Sequence, residues 1–204
     1  MIAPVDSSSD AVGMDYLGPE FLTWFWWRAE TDPCFRHADG TEVYVHFDEH
    51  LEFRGERSAA RRTVLRAGMP GASMEARAAL RSGKSLVAAR ILIARGEDEM
   101  RFTLRSENLG ISGLRLPSPE GETREDRLLA CLEAQEIFLD DLDLCLATFL
   151  KIRCTPAWDA ELARVNDEID RMFEEGSIEA FLTEREGRRR ELGQATFVVG
   201  RTPA

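Results

Sequence analysis

Apolar positions divide the chain into three stretches with different periods. In the first, Leu17, Phe21, Trp24 and Phe25 fall on one helical face, with Leu22 and Trp26 on its flank. Pro19 suits the first helical position and Glu20 the positive end of the helix dipole. The pattern predicts a helix over 18–30. Its apolar surface is too wide to be covered from one side, so a sheet, a partner or both must meet Phe21, Trp24, Phe25 and Trp27.

In the second stretch the period falls to two. Val43, Val45 and Phe47 alternate with Tyr44 and His46, and Leu51–Arg54 continues in the same style. Short strands are expected at 61–67, 85–94, 100–105 and 111–116. A turn at Gly96–Glu99 makes a hairpin of the middle two. A short helix is expected from Ser73 to about Ser82, closed by Gly83. Residues 31–41 read as turns, through Thr-Asp-Pro and Ala-Asp-Gly.

The third stretch is helical again. Leu128, Leu132, Leu139, Leu142, Leu146 and Phe149/Leu150 recur at steps of three and four over 124–153. Thr155-Pro156 starts a further helix that ends at Gly176. Ser177 caps a short third one, and 197–199 forms a weak final strand or docked tail.

The expected fold class is α+β: an antiparallel sheet of five or six strands, a Trp-rich N-terminal helix and a C-terminal helical segment. The expected organisation is a disordered lead-in over 1–16, a helix-plus-sheet domain over 17–117 and a helical segment over 118–204 packed on it. The first residues lack a basic stretch followed by an apolar core, so no secretory signal is expected. The four cysteines form no closely spaced pair, which fits a reduced, cytoplasmic protein without disulfides. No membrane span is expected, because Arg28 and Glu30 break the aromatic helix.

Charge changes this picture. The net charge is −11, but it is segregated. Residues 1–49 carry 2 basic and 10 acidic side chains, residues 50–116 carry 13 and 7, and residues 117–204 carry 11 and 20. A basic middle either neutralises the acidic ends or offers a surface to a polyanion. Arg61, Arg62, Arg77, Arg81, Lys84, Arg90, Arg101 and Arg105 are the candidate phosphate contacts, which would neutralise charge without reading sequence.

Catalytic chemistry finds little to build on. Arg81-Ser-Gly-Lys-Ser85 looks like the end of a phosphate-binding loop, but Ala78 stands where that motif needs glycine, so Gly83 reads as a helix cap. Cys34, His37, His46 and His50 could bind zinc only if they converged, and the paired-cysteine knuckle is missing. The acidic pairs Asp140-Asp141 and Asp167-Glu168 read as solvated helix faces. No nucleophile turn is present, and the only lysines are Lys84 and Lys151. No enzyme activity and no cofactor are expected.

Phe21-Leu-Thr-Trp-Phe-Trp-Trp-Arg-Ala-Glu30 resembles a segment of RdgC-like, recombination-associated proteins. Glu75–Lys84, Ala89–Glu97, Gly113-Leu-Arg-Leu-Pro117 and Thr155-Pro-Ala-Trp158 resemble further segments in the same order. The resemblance covers roughly residues 17–160 and is to the C-terminal half of longer proteins, with no counterpart of their N-terminal half. It implies a non-catalytic protein that binds duplex DNA with little sequence preference, forms ring-like dimers and restrains RecA-type recombination. The alternative expectation is a structural or assembly subunit, acting through the aromatic helix and the 124–153 helix without touching nucleic acid. A clustered basic face in the fold favours the first reading; an exposed apolar stripe on either helix favours the second.

Overall fold

The computed structural model describes residues 17–55, 62–65 and 74–171. Its first element is the aromatic helix α1 (Pro19–Thr31), which enters through Gly18 and Pro19. Phe21, Leu22, Trp24, Phe25 and Trp26 are all buried, and Trp27 is half-buried. Rings from several elements enclose the helix. Phe25 meets Phe35 and Phe47 edge-on at 5.8 and 5.5 Å, while Phe21 and Trp24 meet Phe149 at 5.2 and 5.3 Å. The chain itself therefore covers this helix from both sides, and Phe21, Trp24 and Phe25 are core rather than a surface for a partner.

Among the described residues the sheet has six antiparallel strands: β1 (Cys34–Arg36), β2 (Glu42–Arg54), β3 (Arg62–Leu65), β4 (Ser85–Arg95), β5 (Asp98–Arg105) and β6 (Gly110–Arg115). The path runs β1-β2-β4-β5-β6. β1 and β3 share one edge of the long β2, pairing with its first and last residues respectively. β1 lies in a stretch whose composition predicts only turns; three residues are too few for an alternation to register. The β4–β5 hairpin closes on Gly96 at φ +62°, a backbone region that glycine enters without steric cost.

Alternation sorts the side chains. Val43, Val45, Phe47, Ile91, Ile93, Met100, Phe102 and Leu104 are buried on the face toward α1. Tyr44, His46, Arg90, Leu92, Arg101, Thr103 and Arg105 point the other way and are half-buried or exposed.

Helix α2 (Met74–Arg81) ends as its Gly83 predicts. Gly83 sits at φ +79°, its N–H donates to the Leu80 carbonyl and the Lys84 N–H donates to the Ala79 carbonyl. The long helix α3 (Arg124–Arg153) starts with a reciprocal cap: Asp126 N–H donates to Thr123 Oγ1, and Thr123 N–H donates to the Asp126 carboxylate. Phe138, Leu142, Cys145 and Phe149 form its buried face, with Phe138 on Phe102 at 4.9 Å. Helix α4 (Ala157–Arg171) returns Trp158 onto Phe149 at 5.6 Å. These helices share one core with α1 and the sheet. Arg153 donates to the nearly buried Glu20 at 2.8 Å, and Trp24 Nε1 donates to Glu161 at 3.2 Å, so α1 is tied to α3 and α4 by polar links as well. No helix among the described residues is long and apolar enough to cross a membrane. The segments expected at 177–182 and 197–199, and the lead-in 1–16, lie outside the described residues.

Candidate functional site

An antiparallel sheet with helices on one side presents its other side to solvent. Here that side is rich in arginine. Arg90 of β4 lies opposite Thr103 of β5; Arg101 of β5 lies opposite Arg115 of β6; Arg105 follows two residues beyond Thr103. All four arginines are exposed.

The placement of Arg115 depends on an irregularity. Thr103 pairs with Ser112 and Arg101 with Arg115, so one residue on β5 faces two on β6. The extra residue sits at Gly113-Leu114, and Gly113 has φ +64°. This is a β-bulge of the kind that takes glycine in the left-handed region. Without it, Leu114 would lie beside Arg101. With it, Leu114 packs against the core and Arg115 emerges on the open face. Arg115 was not among the sequence candidates. The available signal was the glycine inside a strand pattern, which marks a bulge.

Arg90, Arg101 and Arg115 border an open depression of about 190 Å³, also lined by Asp48, Phe102, Thr103 and Gly113. Among the described residues, no carboxylate lies within ion-pair distance of Arg90, Arg105 or Arg115. Arg101 has one partner, Glu99 at 3.1 Å, and both are exposed. Exposed pairs of this kind hold little energy, so the Arg101 charge stays available.

The other candidate cations divide. Arg62 is exposed but engaged by Glu52 at 2.8 Å, and Lys84 donates to Thr63 at 2.8 Å. Arg54, at the same end of the sheet, pairs with Glu107 at 2.7 Å. Arg81 is exposed at the end of α2. Arg77, one turn before it, is only 5% exposed. The spacing of four residues puts both on one side of the helix, but the buried boundary, marked by Ala76, Ala79 and Leu80, encloses Arg77 and leaves Arg81 out. Arg77 is therefore not a surface contact. Arg61 lies outside the described residues.

The residues weighed for zinc do not assemble. His37 lies on the helix side, where Nε2 is 2.8 Å from Asp141 Oδ1. His46 sits on the opposite face of the sheet, opposite Leu92. Among the described residues no group of three or more His, Cys, Asp or Glu side chains is arranged to hold a metal. Cys34 neighbours Tyr44 across the β1–β2 ladder, and Tyr44 donates to Glu42 at 2.8 Å. That bond, with burial, pushes the Tyr44 phenol up to about 12.

Asp141 corrects the expectation of a solvated acidic pair. Consecutive helical residues point about 100° apart, so Asp140 is exposed while Asp141 is fully buried. Asp141 faces His37, with Arg95 at 3.6 Å, and its Oδ2 has no hydrogen-bond partner among the described residues.

Helix α3 carries a second surface feature. Leu128, Leu129, Leu132 and Leu139 are 61%, 59%, 52% and 57% exposed. Leu128, Leu132 and Leu139 belong to the leucine repeat read from the sequence, of which only the C-terminal part is covered; Leu129 lies beside it.

No family of known proteins, no curated protein and no solved structure matches the chain.

Proposed function

We propose that the protein is a non-catalytic, RdgC-like binding protein that holds nucleic acid by its phosphates on the open, arginine-bearing face of the sheet. One observation carries the reading: Arg90, Arg101, Arg105 and Arg115 share one exposed face, and three of them have no carboxylate partner among the described residues. Unpaired guanidinium groups on a flat surface neutralise phosphates and release counterions, which gives affinity without sequence preference. At physiological salt the acidic total does little to oppose this, since the acidic residues of α3 lie on the far layer and are screened from the arginine face.

The test is binding of a fluorescent, random-sequence duplex at low and moderate salt. Affinity is expected to fall steeply with salt and to vanish when Arg90 and Arg101 are both changed to Glu. Arg77→Glu is not a usable control, because it would bury a carboxylate. Absence of binding at low salt would overturn the reading.

The exposed leucines of α3 favour a second reading, an assembly subunit working through protein contacts. Sedimentation velocity over a range of concentrations separates the two. Association that Leu128→Glu and Leu132→Glu abolish, with no duplex binding, would select the second.

A further inference from the structure

We propose that the bulge pocket between β4, β5 and β6 is a phosphate-binding site, in which Arg90, Arg101 and Arg115 receive one phosphate group beside the Thr103 hydroxyl. The nucleic-acid reading bears only on the source of that phosphate, a backbone phosphodiester rather than a free phosphate or a phosphomonoester.

Three observations carry the pocket. The first is a cost. Arg101 and Arg115 are direct cross-strand partners, and like charges directly opposite one another destabilise a sheet. Glu99 offsets Arg101 in part, and no carboxylate among the described residues offsets Arg115. An oxyanion between them turns this repulsion into two charge-assisted contacts. Guanidinium groups suit it, because their parallel N–H donors match two oxygens of one phosphate.

The second is construction. The pair exists only because the bulge at Gly113 brings Arg115 out and sends Leu114 in. Bulges recur where a strand has to re-aim a side chain. A regular β6 would set a leucine beside Arg101 and avoid the repulsion altogether.

The third is size and charge. The depression holds about 190 Å³. Pockets for drug-sized ligands begin at roughly 300 Å³, so this one takes an oxyanion and leaves an attached nucleoside outside. Asp48 lines its β2 side and has a polar contact of its own. Three guanidinium groups against the carboxylates of Asp48 and Glu99 leave a surplus of one positive charge, which matches a phosphodiester.

The experiment has two arms, both on the full chain: wild type, Arg115→Gln, and Arg105→Gln as a control on the same face but outside the pocket. In the first arm, thermal unfolding is followed in sodium phosphate and in sodium chloride at matched ionic strength. Phosphate is expected to raise the Tm of wild type and Arg105→Gln more than that of Arg115→Gln. In chloride, Arg115→Gln should be no less stable than wild type, because the repulsion is gone. Equal phosphate stabilisation of all three would be a general excluded-anion effect and would overturn the pocket. In the second arm, a 20-base-pair duplex is titrated at low salt. Arg115→Gln is expected to weaken binding about tenfold, the scale of one charge-assisted contact, and Arg105→Gln clearly less.

The two readings fail separately. A phosphate-specific shift lost in Arg115→Gln, with no duplex binding, keeps the pocket and overturns nucleic acid as the source. Duplex binding indifferent to Arg115→Gln, with no phosphate-specific shift, overturns the pocket and keeps the broader face. If Arg115→Gln does not fold, Arg90→Gln takes its place with the same expectations.

Discussion

Glu20 shows how a single residue can serve two purposes in this chain. Its charge suits the first turn of α1, yet it is 5% exposed, so it needs a partner, and Arg153 at the end of α3 supplies one at 2.8 Å. Removing one member of a buried pair leaves the other uncompensated. Arg153→Ala is expected to cost about 3 kcal/mol in denaturant unfolding, the low end of the roughly 3–5 kcal/mol for breaking a buried pair, because Arg153 is a quarter exposed. The double variant Glu20→Gln/Arg153→Ala should recover much of the loss. Strict additivity in this double-mutant cycle would refute the coupling. Tyr44 offers a residue-level test by pH. Its phenol is pushed up to about 12, first by the hydrogen bond it donates to Glu42 and then by burial. The folded value lies above the ordinary one of about 10. Its contribution to stability is therefore complete below pH 10 and is lost as the pH rises through 12. A phenolate absorbance titration should show a component near 12 that Tyr44→Phe removes; a component near 10 that disappears instead would contradict the Glu42 bond. The thiols differ for a related reason. Cys145 is buried, and desolvation, followed by the neighbouring Asp141 charge, pushes its thiol strongly up. Cys154 is exposed. A thiol reagent at pH 8 should label Cys154 first and reach Cys145 only on unfolding.

Among the elements, α3 is the one with two environments. From Phe138 onward it has a buried face on the sheet and α1, whereas Leu128, Leu129 and Leu132 near its start are exposed. Tertiary packing supplies most helical stability in proteins, so the first turns rely on the cap between Thr123 and Asp126. Thr123→Ala is expected to cost about 1 kcal/mol and to speed amide exchange over 124–132 while leaving 138–150 protected. Uniform acceleration along the helix would mean that the cap supports the whole fold. The same helix shows what periodicity conveys. The leucine repeat reveals that a helix exists and which side is apolar, but not how far along that side the chain supplies a cover. The aromatic helix and the long strands were legible because their periods are strong and their ends carry Pro19, Gly83 and Gly96. β1 was not, since its pairing with β2 is a tertiary fact written in three residues. The arginine face was legible in part. Arg90, Arg101 and Arg105 follow from alternation alone, whereas Arg115 needs the one-residue shift at Gly113, and Arg77 needs the position of the core boundary on α2.

At the scale of the whole molecule, the segregated charge becomes a difference between two layers. The basic middle of the sequence forms most of the sheet, and Arg90, Arg101, Arg105 and Arg115 face away from the helices; α3 carries exposed Glu133, Glu136, Asp140 and Asp143 on the other layer. A helical layer lies roughly 10 Å from the sheet it covers. The Debye length is about 30 Å at 0.01 M salt and about 8 Å at 0.15 M. At low salt the acidic layer is therefore felt on the arginine face and opposes an incoming phosphate backbone, whereas at physiological salt it is screened from it. Changing Glu136→Gln, Asp140→Asn and Asp143→Asn together is expected to tighten duplex binding at 0.01 M and leave it unchanged at 0.15 M. The arginines should behave differently, because they touch the phosphates. With Arg90, Arg101 and Arg115 on one phosphate and Arg105 on a second, log affinity should fall with log salt at a slope of about −2, and Arg105→Gln should reduce that slope by about 1. A triple acidic variant that changed affinity equally at both salts would place those carboxylates in contact with the duplex and move the binding surface from the sheet to α3.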